Sequence, residues 1–343
     1  MVKTTEPNAT TAVEPYLSII IPTYNPAEFL PVLFDSIMTN KCLDEIEIIL
    51  SDDKSTKGFH HILLKYPKLH FEVIENPVHA GFPRDGRQHG SEQAKGKWIT
   101  FMDQDDHWHD GALDKIIEFI KTTGAHNMVE SPFTEESVET GQVRIQAANK
   151  GWTHGKFYEM DFWRKYDIHY DKVQYCEDVD LSNRIDCVLS ANRLKRFDYP
   201  EPLYVWRRRG DSLADEDYFR NSIPDHIRGT LGVLVDYVEQ SKNDEELYKD
   251  FNVKFLSTFL HFFFYFQTSL LCTRKQMLMN AISIIQPIFT KYKTVTGMDN
   301  EDILRLFFNE LINVYQQTRT EDFAQIPFIE QTTIIDWIHN YFD

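Results

Sequence analysis

The segment "WITFMDQDDHW", residues 98–108, ends an apolar run and then places Asp103, Asp105 and Asp106 within four positions. Carboxylates this close repel one another, and burying them is costly unless positive charge lies between them. Paired carboxylates there suit a hard divalent cation, Mg²⁺ or Mn²⁺, that keeps open positions for phosphate oxygens. A solvated acidic turn is the plainer reading, and the position of the cluster in the fold decides between the two.

Other residues suggest related chemistry. "YCEDVDL" carries Glu177, Asp178 and Asp180. These acids favour a helix N-terminus, and a carboxylate beside another acid in a cleft also suits proton abstraction. "YVWRRRGDSL" sets Arg207, Arg208 and Arg209 together in an acidic chain. They form either a solvated basic turn or a clamp for a diphosphate. Pro22-Thr23-Tyr24-Asn25 follows the first apolar run and offers a turn, or an aromatic face with polar groups for a nucleobase. Asp52 and Asp53 follow the second run, where one can accept a hydrogen bond from a base ring N–H. Trp152 and His154 either line a sugar pocket or are a core tryptophan and a surface histidine. There is no GxGxxG and no GxxxxGK[ST], which counts against a dinucleotide or P-loop site. A nucleotidyltransferase would also use metal-binding acids on a parallel sheet, but "PTYNPAEF" lacks the glycine-rich basic loop expected of one.

The elements that must position these residues alternate through the first half of the chain. Strands are expected over 16–22, 45–53, 69–76 and 97–103, with Pro22 ending the first. Helices are expected over 26–40, 56–67, 84–96, closed by Gly96 as a C-cap, and 111–124. Such a βα series predicts an α/β fold with a mostly parallel sheet flanked by helices. In these sheets the ligand crevice lies at the carboxyl ends of the strands. Asp53 and the 103–106 cluster both fall there.

From about residue 215 the pattern turns helical. The expected organisation is a flexible lead-in over 1–14, a sheet domain over 15–214 and a helical domain over 215–343. "FLSTFLHFFFYFQTSLL", 255–271, is shorter than the roughly 20 apolar residues of a membrane span. Phe255, Phe259, Phe262, Phe263 and Phe266 form a helical stripe, widened by Phe264 and Tyr265. A buried helix is expected, with self-association through this domain and peripheral membrane association as further expectations.

The formal net charge of −17 over 343 residues argues against general nucleic-acid binding. The cysteines Cys42, Cys176, Cys187 and Cys272 have no CxxC spacing, which fits reduced thiols in a cytosolic protein. Residues 1–14 lack the apolar core of a signal peptide, so a cytoplasmic location is expected, or the inner face of the membrane.

"LSIIIPTYN", "IEIILSDDKST", the "RQHG" helix before "AKGKWITFMDQDD", and "YCEDVDL" occur in the order and spacing of the family 2 inverting glycosyltransferases, which this chain resembles over about residues 16–215. The resemblance implies the GT-A fold, a nucleotide-diphosphate sugar donor, in particular a UDP-sugar, and a divalent metal. It implies a glycan or polyol-polymer acceptor. Pro22, Thr23, Tyr24 and Asn25 would border the nucleobase, and Asp53 would take its N–H. Arg87 would face the nucleotide, Asp103 the ribose and metal, and Asp105 would be the main metal ligand. Gln104 and His79 would lie close to the donor. Arg207 and Ser212 would support the leaving diphosphate. Of the Glu177-Asp178 pair, Asp178 would be the base. Two departures stand out: His79 replaces a common asparagine, and the usual Ala-Arg-Asn reads Gly86-Arg87-Gln88. A non-catalytic nucleotide-sugar-binding subunit is the alternative from another class, against which the intact Asp103, Asp105 and Asp178 speak.

Overall fold

The computed structural model describes residues 14–148, 151–171, 176–210, 226–269, 275–303 and 305–306, the side chains of 260–269 and 275–282 excepted. The chain divides into two compact units: residues 1–170 with 195–212, and residues 171–194 with 213–343. This differs from a single boundary at 214 and 215, because segment 171–194 leaves the sheet unit and joins the helices.

The sheet unit is built on β1 (Leu17–Thr23), which pairs in parallel with β2 (Ile46–Asp52) on one side and β4 (Trp98–Phe101) on the other. Helices on both faces demand apolar residues on both sides of such a strand. Ile19, Ile20 and Ile21 are accordingly fully buried. β3 (Phe71–Glu75) extends the parallel set beyond β2. On the far side, β9 (Lys156–Glu159) runs antiparallel between β4 and β6 (Met128–Glu130), and β10 (Arg196–Asp198) pairs in parallel with β6. The order is β10-β6-β9-β4-β1-β2-β3. A smaller sheet has the order β5-β11-β7-β8, from β5 (His107–Trp108), β11 (Tyr204–Arg208), β7 (Phe133–Ser137) and β8 (Val143–Gln146).

Pro22 lies inside β1 rather than ending it. Pairing with β4 stops at Ile20 and Phe101, so the missing N–H of Pro22 falls beyond that neighbour. Helix α1 (Leu30–Met38) buries Leu30, Leu33, Phe34 and Ile37. The helix expected over 56–67 shrinks to α2 (His60–Leu63). α3 (Pro83–Gln93) is polar and packs by close approach: a Cβ on Gly86 would lie 3.0 Å from that of Pro22. Gly96 is not the cap of α3, which Ala94 supplies. It is required because a Cβ there would sit 2.5 Å from Ser18 Oγ. α4 (Ala112–Thr123) buries Leu113, Ile116 and Ile120 and is closed by Gly124 at φ 65°. α5 (Met160–Lys165) completes the unit.

The helical unit contains α6 (Glu177–Ala191), a wide helical turn over Arg228–Gly232, α7 (Val233–Gln240), α8 (Glu245–Ser269) and α9 (Lys275–Thr296). α6 belongs here because Cys187 packs with Ile227, Leu231, Leu234 and Phe251 in one core. The stripe expected on α8 is buried at Phe255 and Phe259, and Phe255 stacks on Tyr292 with centroids 4.0 Å apart. Phe262, Phe263, Phe264, Tyr265 and Phe266 lie outside the described side chains. Among the described residues, no helix is long and apolar enough to cross a membrane.

Candidate active site

The parallel strands β1, β2 and β4 end on one edge of the sheet, and the residues with chemistry gather there. β4 stops at Phe101, and the chain enters the Asp103–Asp106 turn with Met102 N–H still bonded to Ile20 O. The acids do not share a single environment. Arg87, buried on α3, donates from Nη2 to Asp103 Oδ1 at 2.6 Å. Arg209, just past β11, donates from Nη2 to Asp105 Oδ2 at 2.6 Å. Its guanidinium also lies over the Phe29 ring, 4.5 Å from the centroid. The positive charge that the acidic cluster demands is therefore supplied by two arginines, from different elements.

Asp106 has a third role. Only 2% exposed, it accepts the Tyr204 hydroxyl at 2.5 Å on Oδ2 and the Arg207 N–H at 2.7 Å on Oδ1. Tyr204 Oη in turn accepts the Asp103 N–H at 3.3 Å. The buried acid thus fixes the turn to β11.

Burial opposes the charge on all three acids. At Asp103 burial is the largest single effect, but the Arg87 charge and hydrogen bond, together with His154, hold the carboxyl below its ordinary value. At Asp105 burial and the Asp103 charge prevail over Arg209, and the carboxyl is raised. At Asp106 burial and the neighbouring acids raise it well above the ordinary range.

His154 lies beneath the cluster. Burial, with the Arg87 and Lys156 charges, lowers its imidazole to about 4 against the pull of Asp103, so the ring is neutral at pH 7. It stacks on Tyr204 at 4.7 Å, and Trp152 packs on Trp206 at 5.3 Å. Both therefore belong to an aromatic layer under β11. Ligand atoms of Asp103, Asp106 and His154 lie within 4.8 Å of one another. His154 Nδ1 is buried without a hydrogen-bond partner among the described residues. By type, two carboxylates and a neutral imidazole suit a divalent cation, but both Asp106 oxygens are already engaged by Tyr204 and the Arg207 N–H. Asp105, expected as the main ligand, is turned to Arg209 and is not in that group.

The other expected residues border the same edge. Tyr24 is exposed, and its ring lies 4.7 Å from that of His79. Gln104 Oε1 accepts the Tyr24 N–H at 2.8 Å and its Nε2 donates to Tyr24 O at 3.2 Å. Thr23 is buried beside Asp52. Asn25 adopts φ 47°, and its Oδ1 takes the N–H groups of Thr56 and Lys57 at 3.0 and 2.9 Å. Asp53 Oδ1 accepts Asn76 Nδ2 at 3.1 Å and Ala80 N–H at 2.8 Å; Oδ2 accepts Gly81 N–H at 2.8 Å. His79 Nδ1 stands 2.8 Å from the same Oδ2. Nδ1 also lies 2.8 Å from the Asp53 backbone O, and through these contacts Asp53 holds the 79–81 loop and, with it, the Tyr24–His79 pair. Pro22 sits beneath this edge against Gly86.

Arg207 directs its backbone to Asp106, and its Nη1 lies 3.5 Å from Asp105 O. Arg208 pairs with Glu135 instead. Arg209, named with its neighbours in the sequence but not chosen among them, is the one of the three that meets Asp105. The signal was present in strand alternation, which puts 207 and 209 on one side and 208 on the other. Ser212 lies outside the described residues.

In the helical unit, Glu177, Asp178 and Asp180 occupy the first turn of α6, where the helix dipole favours them. Asp180 is buried and paired with Arg184 Nε at 3.0 Å, while Asp178 Oδ1 accepts the Val179 N–H at 2.9 Å.

Comparisons with known proteins bear on the family likeness and the fold. A family model described as glycosyl transferase family 2 matches residues 18–174. The poly(ribitol-phosphate) beta-N-acetylglucosaminyltransferase TarS of Staphylococcus aureus is 24% identical over 222 residues, covering 59% of this chain and 38% of that protein. A poly(ribitol-phosphate) beta-glucosyltransferase of Bacillus spizizenii is 36% identical over 108 residues, 31% of this chain and 17% of that protein. The chain thus spans well under half the length of these relatives. The crystal structure of S. aureus TarS 1–349 superposes with a TM-score of 0.65 at 18% identity, covering 95% of this chain and 92% of that one. At that identity the likeness speaks for the fold. Residues 18–174 thus match the glycosyl transferase family 2 model, and the sheet unit has the GT-A fold seen in that structure.

Proposed function

We propose that this chain is an inverting glycosyltransferase that moves a sugar from a UDP-sugar to a hydroxyl of a polyol-phosphate or glycan polymer. The observation that carries this reading is the edge where Asp103 and Asp105, each matched by an arginine, stand beside the Tyr24–His79 ring pair. An exposed aromatic pair suits a flat base, and a charge-balanced acidic turn suits a cation carrying a diphosphate. The acceptor class comes from two relatives whose names share poly(ribitol-phosphate). A related TarS crystal holds UDP-GlcNAc, which supports the donor class. The site of action would be the cytoplasm or the inner face of the membrane, and self-association through the helical unit remains part of the proposal, tested by light scattering on the full chain.

Asp103 and Asp105 would hold the cation, Mn²⁺ or Mg²⁺. Their side chains are 31% and 24% exposed, whereas Asp106 is buried with both oxygens already hydrogen-bonded. When bound, the ion neutralises charge that develops on the leaving diphosphate. Arg207 and Arg209 add positive charge on the same edge. Asp178, assigned from the family motif, takes the proton of the acceptor hydroxyl as its oxygen attacks the anomeric carbon and the bond from that carbon to the diphosphate breaks.

A panel of UDP-sugars with Mn²⁺, first without acceptor and then with poly(ribitol phosphate), tests the reading. Release of UDP that rises with polymer, together with labelled sugar on the polymer, is expected. UDP-sugars left intact in every condition would overturn it.

A further inference from the structure

Asp105 carries a guanidinium on the carboxylate that the proposed reading assigns to a divalent ion. Arg209 holds it at 2.6 Å, and the pair is only partly screened, with side chains 21% and 24% exposed. Arg209 also has a seat of its own, over the Phe29 ring at 4.5 Å. Such a stacked guanidinium is weakly hydrated and keeps the ring beneath it whichever anion it faces. A dication bound to Asp105 would face this charge at close range, and like charges in a partly buried site repel strongly.

The second pair differs. Arg87 is 5% exposed on its side chain and sits within α3 against the sheet, so its charge is fixed beneath Asp103. Arg209 follows the last residue of β11 and precedes Gly210. Its side chain is 21% exposed against 5% for Arg87, so it is the more open of the two to an arriving anion, and a diphosphate is the partner to which a planar guanidinium is best matched.

We propose that Arg209 is a placeholder counter-ion: it neutralises Asp105 until nucleotide diphosphate and metal enter together, then passes from the carboxylate to the diphosphate. This inference rests on the metal-dependent reading of the Asp103–Asp105 turn. It makes Arg209 a positioning residue for donor loading, and it couples the two ligands. Metal alone must displace a bound cation, whereas metal arriving with a diphosphate gives that cation a new partner. Coupling of this kind is reciprocal: the diphosphate tightens metal to the same factor as metal tightens the diphosphate.

The test titrates the full chain with Mn²⁺, read by electron paramagnetic resonance of the free ion, with and without UDP. Wild type should bind Mn²⁺ at least about tenfold more tightly with UDP than without. Arg209→Gln should bind Mn²⁺ alone about tenfold more tightly than wild type and lose most of the UDP coupling. Arg209→Lys, which keeps the charge, should keep the wild-type pattern in weakened form. Phe29→Leu, which removes only the aromatic seat, should shift Mn²⁺ affinity in the same direction as Arg209→Gln by a smaller factor, and it stands in should the glutamine variant not fold. If wild type binds Mn²⁺ with UDP and folded Arg209→Gln binds Mn²⁺ alone no better than wild type, the placeholder is overturned and the metal reading stands. If wild type shows no Mn²⁺ binding even with UDP, the metal reading falls and the placeholder with it.

Discussion

The side-chain amide of Gln104 pairs with the backbone of Tyr24 as one peptide unit pairs with another, accepting its N–H and donating to its carbonyl. The turn after β4 is thereby sewn to the turn after β1, and the acids and the aromatic face are held at one separation. A serine or alanine at 104 cannot reach both groups. Gln104→Ala should lower UDP affinity roughly tenfold, from two lost hydrogen bonds of about 1 kcal/mol each, partly replaced by water. Calorimetric titration with UDP reads this directly, and unchanged affinity would show that the pairing is incidental to the donor site.

The same edge depends on how closely α3 lies on the sheet. A Cβ at Gly90 would collide with Ile20 Cγ2, and Ile20 is fully buried in the central strand. Gly90→Ala should therefore destabilise the protein by about 1–3 kcal/mol, despite the better helix propensity of alanine. Urea unfolding followed by circular dichroism is the measurement. A neutral or stabilising result would mean that α3 shifts at no cost, and UDP affinity should then change with it, because Arg87 rides on the same helix.

Period and composition made the α/β series legible, since buried strands such as "LSIII" and amphipathic helices such as α4 announce themselves by pattern. The carboxyl edge of the sheet followed from that series, and with it the place of Asp53 and the 103–106 turn. What pattern could not give was the partner of each side chain. Asp105 meets Arg209 across 104 positions of chain, a pairing set by the tertiary fold. Asp106 looked like its neighbours but is the buried one, because Tyr204 and the Arg207 N–H reach it from β11. Gly96 read as a helix cap by type, and only the close approach of Ser18 reveals its other use. The excursion of 171–194 into the helical unit was hidden for the same reason: α6 buries Cys187 and Leu181 without a strong apolar stripe to advertise it.

Asp105→Asn should remove most turnover, since a neutral amide gives up the charge that holds a cation. Treatment of wild type with EDTA should do the same, and added Mn²⁺ should restore it. Activity that survives both the substitution and the chelator would assign the charge balance of the leaving group to Arg207 and Arg209 alone.

The last prediction separates the acids of α6. Asp180 is 2% exposed and tied to Arg184, and a Cβ on Gly229 would stand only 2.9 Å from its own Cβ, so it is committed to packing. Glu177 is 5% exposed. Asp178 is more accessible than either, at the second position of the helix, where the dipole steadies its charge. A base must reach the acceptor oxygen, so accessibility selects Asp178 from the three. Asp178→Asn should leave UDP affinity nearly unchanged and cut turnover by roughly 10²–10⁴, the range for a positioned base. Asparagine keeps the size of the side chain and its acceptor for the Val179 N–H, so the helix start is preserved. A collapse of UDP affinity in Asp178→Asn would recast the residue as a binding or structural group. A kinetic loss in Glu177→Gln alone, with Asp178→Asn near wild type, would move the base one position back along the chain.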